Sequence, residues 1–172
     1  FDAQNRRWLI GARDAVLASA KSSGSHKYTH GHALILSGPP GHTGAARLAA
    51  RGALRIGAGL VTVGATPEAI PEHAAQLTAI MLRPVADAGT LEVILADGRI
   101  NSLCIGPALG LSDEGRSLLA TVLKSGRPSV LDADALNAFA ADSSLQALLA
   151  ARASRVGQAT VLTPHPLEAA RL

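Results

Sequence analysis

The feature that most constrains this chain is an alternation. Short apolar runs, ALILS (33–37), LVTVG (60–64), TAIML (78–82), SLCIG (102–106), SVLD (129–132) and TVLT (160–163), are separated by stretches with helical spacing near 43–57, 67–76, 86–97, 113–125, 134–141 and 144–153. Several runs are rich in Val, Ile and Leu without polar alternation, as in strands covered on both faces. The alternation predicts an α/β protein, a mostly parallel sheet with helices on both faces joined by right-handed crossovers. It also predicts where chemistry sits. Ligands of open α/β sheets bind beyond the carboxyl ends of the strands, and GPPGHTG, GPALG, DADALN and PHPLE follow the first, fourth, fifth and sixth runs.

Residues 1–32 divide from residues 33–172. RRWLIGARDAVLASA has the spacing of a short amphipathic helix, and KSSGSHKYTHGH reads as a polar linker. With 48% hydrophobic residues the rest is long enough for one packed core. Lys and Arg number 16 against 13 Asp and Glu, with no basic run interleaved with aromatics, so a small anionic ligand fits better than nucleic acid. The single cysteine, Cys104, lies in an apolar run and suits a reducing compartment. With no secretory signal and no apolar stretch of about 18 residues, the expectation is a soluble cytoplasmic protein without a membrane partner.

Each candidate segment has more than one reading. GPPGHTG is neither G-x-G-x-x-G nor a P-loop; it is a plain strand-to-helix corner or a turn whose backbone N–H groups, with Thr43 as cap, face an anion. In the helix that follows, Arg47, Arg51 and Arg55 share one face as a solvated stripe, Leu48, Ala49, Ala53 and Ile56 fill much of the rest, and Gly52 either marks close approach to another element or is simply a tolerated glycine. GPALG is a βα loop, or one whose Gly106 and Gly110 leave backbone open to a ligand, with Ser112 as the cap of the next helix. Asp132 and Asp134 point to the same side if their segment is extended; such a pair holds Mg²⁺ through water, fixes a polar substrate, or is merely exposed. His165 is stiffly bracketed by prolines, with Pro166 at a first helical position and Glu168 near the helix start, and is either a structural histidine or a ligand contact. His26, His30 and His32 lack a defined metal-ligand spacing, and no metal site is expected from them.

Taken together, HKYTHGHALILSGPPGHTGAARLAARGALRIGAGLVTV, IGPALG, LDADALN and LTPHPLEAARL resemble the ADP/ATP-dependent NAD(P)H-hydrate dehydratases, of ribokinase-like fold, from about Lys27 to Leu172. The resemblance implies a lyase that phosphorylates the 6-hydroxyl of hydrated NAD(P)H with ADP or ATP and Mg²⁺, then eliminates phosphate to restore the dihydropyridine. It implies substrate contacts from Ala45, Gly110 and His165, and puts Asp132, Asp134 and Asn137 near the phosphoryl-transfer region. It also implies a homo-oligomer and a possible fused epimerase domain. The family usually has Gly where Ala108 and Leu167 stand. It continues past TPHP with Lys-Gly and GTGD segments that bind nucleotide and supply the catalytic Asp, so the catalytic residue is expected beyond Leu172, in a domain truncated at its carboxyl end. The rivals are a vitamin-precursor kinase of the same fold and a non-catalytic nucleotide-binding module.

Overall fold

A computed structural model describes residues 24–172, and the helix expected within 1–32 lies outside the described residues. Strands β1 (His32–Leu36), β2 (Leu60–Ala65), β3 (Met81–Pro84), β4 (Ser102–Ile105), β5 (Ser129–Leu131) and β6 (Thr160–Leu162) form one parallel sheet in the order β3-β2-β1-β4-β5-β6. The helices are α1 (Gly44–Ile56), α2 (Ile70–Ala74), α3 (Ala88–Leu95), α4 (Asp113–Lys124), α5 (Asp134–Ala141), α6 (Ser143–Ala153) and α7 (Pro166–Ala169).

Strand alternation distributes the core over both faces of the sheet. Leu34 and Leu36 of β1, with Leu103, Ile105 and Leu131, pack on α3, α4, α5 and α6 through residues such as Leu91, Leu119, Val122 and Leu136. Ala33 and Ile35 turn the other way and join Val61, Val63 and Ala65 against Ala46 and Ala50 of α1. Alanines at that α1 contact let the helix lie close to the sheet. Because β1 and β4 are adjacent and each feeds chain away to a different side, the switch point of the fold lies between their carboxyl ends.

Several sequence expectations are corrected. The run 78–82 pairs only from Met81 onward, and Pro84 ends this edge strand, where a missing N–H is tolerated. The helix expected over 67–76 is a 3₁₀ turn, Pro67–Ala69, followed by α2; Pro71 brings no amide hydrogen to continue the ladder between them. The polar linker contains a 3₁₀ turn, Lys27–His30. Leu48 and Ile56 are 70% and 72% exposed, and a Cβ on Gly52 would meet nothing within 4 Å, so no described element approaches there. The expected cap of α4 is present, Ser112 accepting from the Gly115 N–H at 3.2 Å, and Pro166 stands at the first position of α7 as expected.

Candidate active site

The parallel sheet brings the loops after β1, β4, β5 and β6 side by side, because those strands are neighbours in that order. Gly38, in the first loop, has room for no side chain: a Cβ there would lie 2.5 Å from the Ala108 Cβ of the second. Gly106 joins the second loop to the third. Its φ of 135° suits glycine alone, and a Cβ would fall 1.8 Å from the Asp132 carbonyl oxygen. The Gly110 N–H donates to Asp134 Oδ2 at 3.0 Å, and the Thr163 hydroxyl donates to Asp132 Oδ1 at 2.7 Å. One continuous rim results.

The carboxylates are not arranged as an extended segment would have them. Ala133 takes φ 45° and ψ −116°, turning the chain so that Asp132 engages β6's loop and Asp134 engages β4's loop. Neither caps α5 by its side chain. Asn137, one turn into α5, accepts from Arg171 at 2.7 Å.

His165 is the cap of α7. Its Nδ1 accepts from the Leu167 and Glu168 N–H groups at 3.1 and 3.3 Å, and Glu168 Oε2 accepts from the His165 N–H at 2.9 Å, completing a capping box. A ring nitrogen that accepts carries no proton, so the neutral ring carries it on Nε2, 3.3 Å from Glu168 Oε1. That ring is 58% exposed at the rim, while Glu168 is buried beneath it. Leu167 stands in ordinary helix with its side chain outward. Ala108, where the resembled family has Gly, holds the loop at φ 55°.

The loop after β1 differs most from expectation. Thr43 is fully buried and stands at the N-cap position of α1, as expected, but its side chain caps no helix N–H; its hydroxyl donates to Glu72 Oε1 and receives Arg47. The Gly41 N–H donates to Glu72 Oε2 at 2.7 Å, so this donor faces a carboxylate of the same chain rather than an open anion site. The Thr43 hydroxyl foremost, then the Gly41 N–H, with Arg47 adding, hold the Glu72 carboxyl below its ordinary range. Of the three arginines expected as a solvated stripe, Arg51 and Arg55 are exposed, though Arg51 also donates to the Gln76 carbonyl at 2.9 Å, while half-buried Arg47 pairs with Glu72 of α2. Ala45 lies exposed in the first turn of α1, where helical N–H groups have no intrahelical partner.

Glu72 and His73 were not singled out by sequence reasoning, because PEHA carries no sign of partners 29 to 36 residues away. Fully buried His73 approaches the Ser37 hydroxyl at 2.8 Å through Nε2. Burial foremost, and Arg47, push its imidazole below the usual value, against the opposing pull of Glu72. Cys104 offers no nucleophile, since burial raises its thiol to about 11. Among the described residues no three His, Cys, Asp or Glu side chains are grouped to hold a metal, and no helix is long and apolar enough to cross a membrane.

A family model described as NAD(P)H-hydrate dehydratase matches residues 33–172. The chain is similar to the bifunctional NAD(P)H-hydrate repair enzyme Nnr of Coxiella burnetii, 40% identical over 91% of this chain and 29% of that protein. It is 34% identical to the ADP-dependent (S)-NAD(P)H-hydrate dehydratase of Neisseria meningitidis, over 89% of this chain and 49% of that one. The chain thus spans from under a third to about half of these relatives. Among solved structures, the ADP/ATP-dependent NAD(P)H-hydrate dehydratase of Bacillus subtilis, co-crystallised with ATP and Mg²⁺, superposes with a TM-score of 0.66 at 27% identity, covering 92% of this chain and 53% of its own. A ribokinase-like superfamily protein of Enterococcus faecalis superposes at 0.73 and 21% identity, covering 97% of this chain and 59% of its own, a likeness of fold.

Proposed function

The chain belongs to the NAD(P)H-hydrate dehydratase family, and on that premise we propose that its four-loop rim serves nucleotide-dependent repair of hydrated NAD(P)H. The observation that carries the reading is that the rim joining Gly38, Ala108, Gly110, Asp132, Asp134 and Thr163 lies wholly within the matched residues. In the proposed reaction ADP or ATP transfers its terminal phosphoryl group to the 6-hydroxyl of the hydrate. The C6–O bond then breaks with loss of phosphate, a proton leaves C5, and the ring double bond returns.

Substrate contacts are assigned to Ala45, Gly110 and His165. The His165 ring is 58% exposed, and its Nε2–H, 3.3 Å from Glu168 Oε1, is a donor that an oxygen of the hydrate would share with that carboxylate. Asp132, Asp134 and Asn137 are assigned to the phosphoryl-transfer side. Asp134 acts there through the Gly110 N–H, and Asn137 through Arg171. Mg²⁺ would neutralise charge on the transferring group. Asp132 suits a hydrated ion, since its bond to Thr163 uses Oδ1 alone. With no larger group of metal-binding side chains among the described residues, the ion would arrive on the nucleotide phosphates. We further propose a cytoplasmic setting, self-association, and work alongside an epimerase module as in the bifunctional relatives.

The test is recovery of near-ultraviolet dihydronicotinamide absorbance from hydrated NADH with ADP or ATP and Mg²⁺, using the full product of the gene. Recovery that needs both nucleotide and Mg²⁺ supports the reading. Phosphorylation of a vitamin precursor with no recovery overturns it in favour of a kinase.

A further inference from the structure

Two adjacent residues of one five-residue helix grip the loop after β1 at different points. His73 meets Ser37 where the loop leaves the strand, while Glu72 takes the Gly41 N–H and the Thr43 hydroxyl where it enters α1. Arg47, one turn into α1, closes the network by reaching both Thr43 and Glu72. Between the two grips lies Gly38, pressed against Ala108 of the neighbouring loop.

The histidine is a costly choice for a filler. The Ser37 hydroxyl has one proton and lies 3.2 Å from the Gly38 carbonyl oxygen. If it donates there, His73 must donate from Nε2 to Ser37, and Nδ1 remains a bare acceptor. Nδ1 is buried without a partner, a standing penalty that a leucine in the same space would avoid. What the ring supplies in return is a directed bond to the first residue of the loop.

We propose that Glu72 and His73 are positioning residues that hold the 37–43 loop in register with the Ala108 loop, so that the start of α1, including Ala45, faces the substrate. Glu72 fills donors that a mobile loop would offer to any passing anion, and substrate therefore meets a preset surface. The substrate half of this inference rests on the hydrate-dehydratase reading; the loop half does not.

The test uses Glu72→Ala and His73→Leu, each with a conservative partner. Glu72→Gln keeps an oxygen for the Gly41 N–H, and His73→Gln keeps an amide nitrogen near the position of Nε2. Amide hydrogen exchange in the full gene product should rise about tenfold or more across 38–44 in the Ala and Leu variants, with β1 and β4 unchanged and the Gln variants close to wild type. In the full gene product, KM for the hydrate should rise about tenfold while kcat and the nucleotide KM stay within about twofold. Unchanged exchange at 38–44, or an equal rise throughout the core, overturns the clamp. Faster loop exchange with an unchanged hydrate KM overturns the substrate role. If no variant and no wild-type protein dehydrates the hydrate, the functional reading fails, and the exchange result still decides the clamp. Should the Ala or Leu variant not fold, the Gln variants carry the comparison, and near-wild-type exchange and KM in both, against loss in Glu72→Asp, is the expected pattern; wild-type behaviour in Glu72→Asp overturns it.

Discussion

Ala133 carries the chain around the end of β5 at φ 45° and ψ −116°, a sparsely populated conformation that costs an L-residue on the order of 1–3 kcal/mol. Ala133→Gly should therefore stabilise the protein by up to about 1 kcal/mol in chemical denaturation, after the larger chain entropy of glycine is subtracted. Gly106→Ala is the opposite case. Its methyl would sit 1.8 Å from the Asp132 carbonyl oxygen, and a loss of at least about 3 kcal/mol, or failure to fold, is expected. Titration is a second residue-scale property. Burial lowers the pKa of both His32 and His73 from 6.5; Asp97 opposes this at His32, and Arg99 and Arg83 add to it. Below 6.5 the unfolded chain then binds more protons than the folded one, so stability is full above that value and falls as pH drops through the window beneath it. Denaturant midpoints at about pH 7.5 and about pH 5.5 should differ, and a His32→Gln/His73→Gln double variant should lose most of that difference. Glu72, whose carboxyl is held below 4.5, contributes in a separate, more acid window.

At the scale of elements, α7 is four residues long and depends on its cap. His165→Ala removes the acceptor of two N–H groups, and should cost about 1 kcal/mol; His165→Asn retains an acceptor and should cost less, as thermal denaturation will report. Elements also separate what could be read from sequence from what could not. The strands were visible as apolar runs because the parallel sheet is covered on both faces, and Ser112 as a cap and Pro166 at a first helical position announce their helices locally. β3 was set too early because in TAIML the buried Ile80 belongs to the approach to the edge strand rather than to the ladder. The partners of Glu72 lie on α1 and its loop, and that of His73 at the end of β1. Such contacts depend on how a crossover folds back over the sheet, which no local pattern encodes. The turn at Ala133 was hidden for a different reason: alanine there gives no hint of positive φ, and the extended geometry that would have paired Asp132 with Asp134 does not occur.

For the whole molecule, strand order does the assembling. Placing β4 beside β1 creates the switch point, and adding β5 and β6 outward lines up four loops that are 60 or more residues apart from first to last in some pairs, such as Asp132 and Thr163 against Gly38. The two-sided core leaves those loops at one edge, where Gly38, Gly106 and the bonds of Asp132 and Asp134 fix their spacing. The central claim is that hydrated nicotinamide cofactor is held at this edge. A crystal structure of the full gene product soaked with NADH hydrate tests it most directly. The account predicts the nicotinamide ring between the Gly110 loop, the start of α1 at Ala45 and the His165 ring. Density for the hydrate at any other surface, with this edge empty, would contradict it.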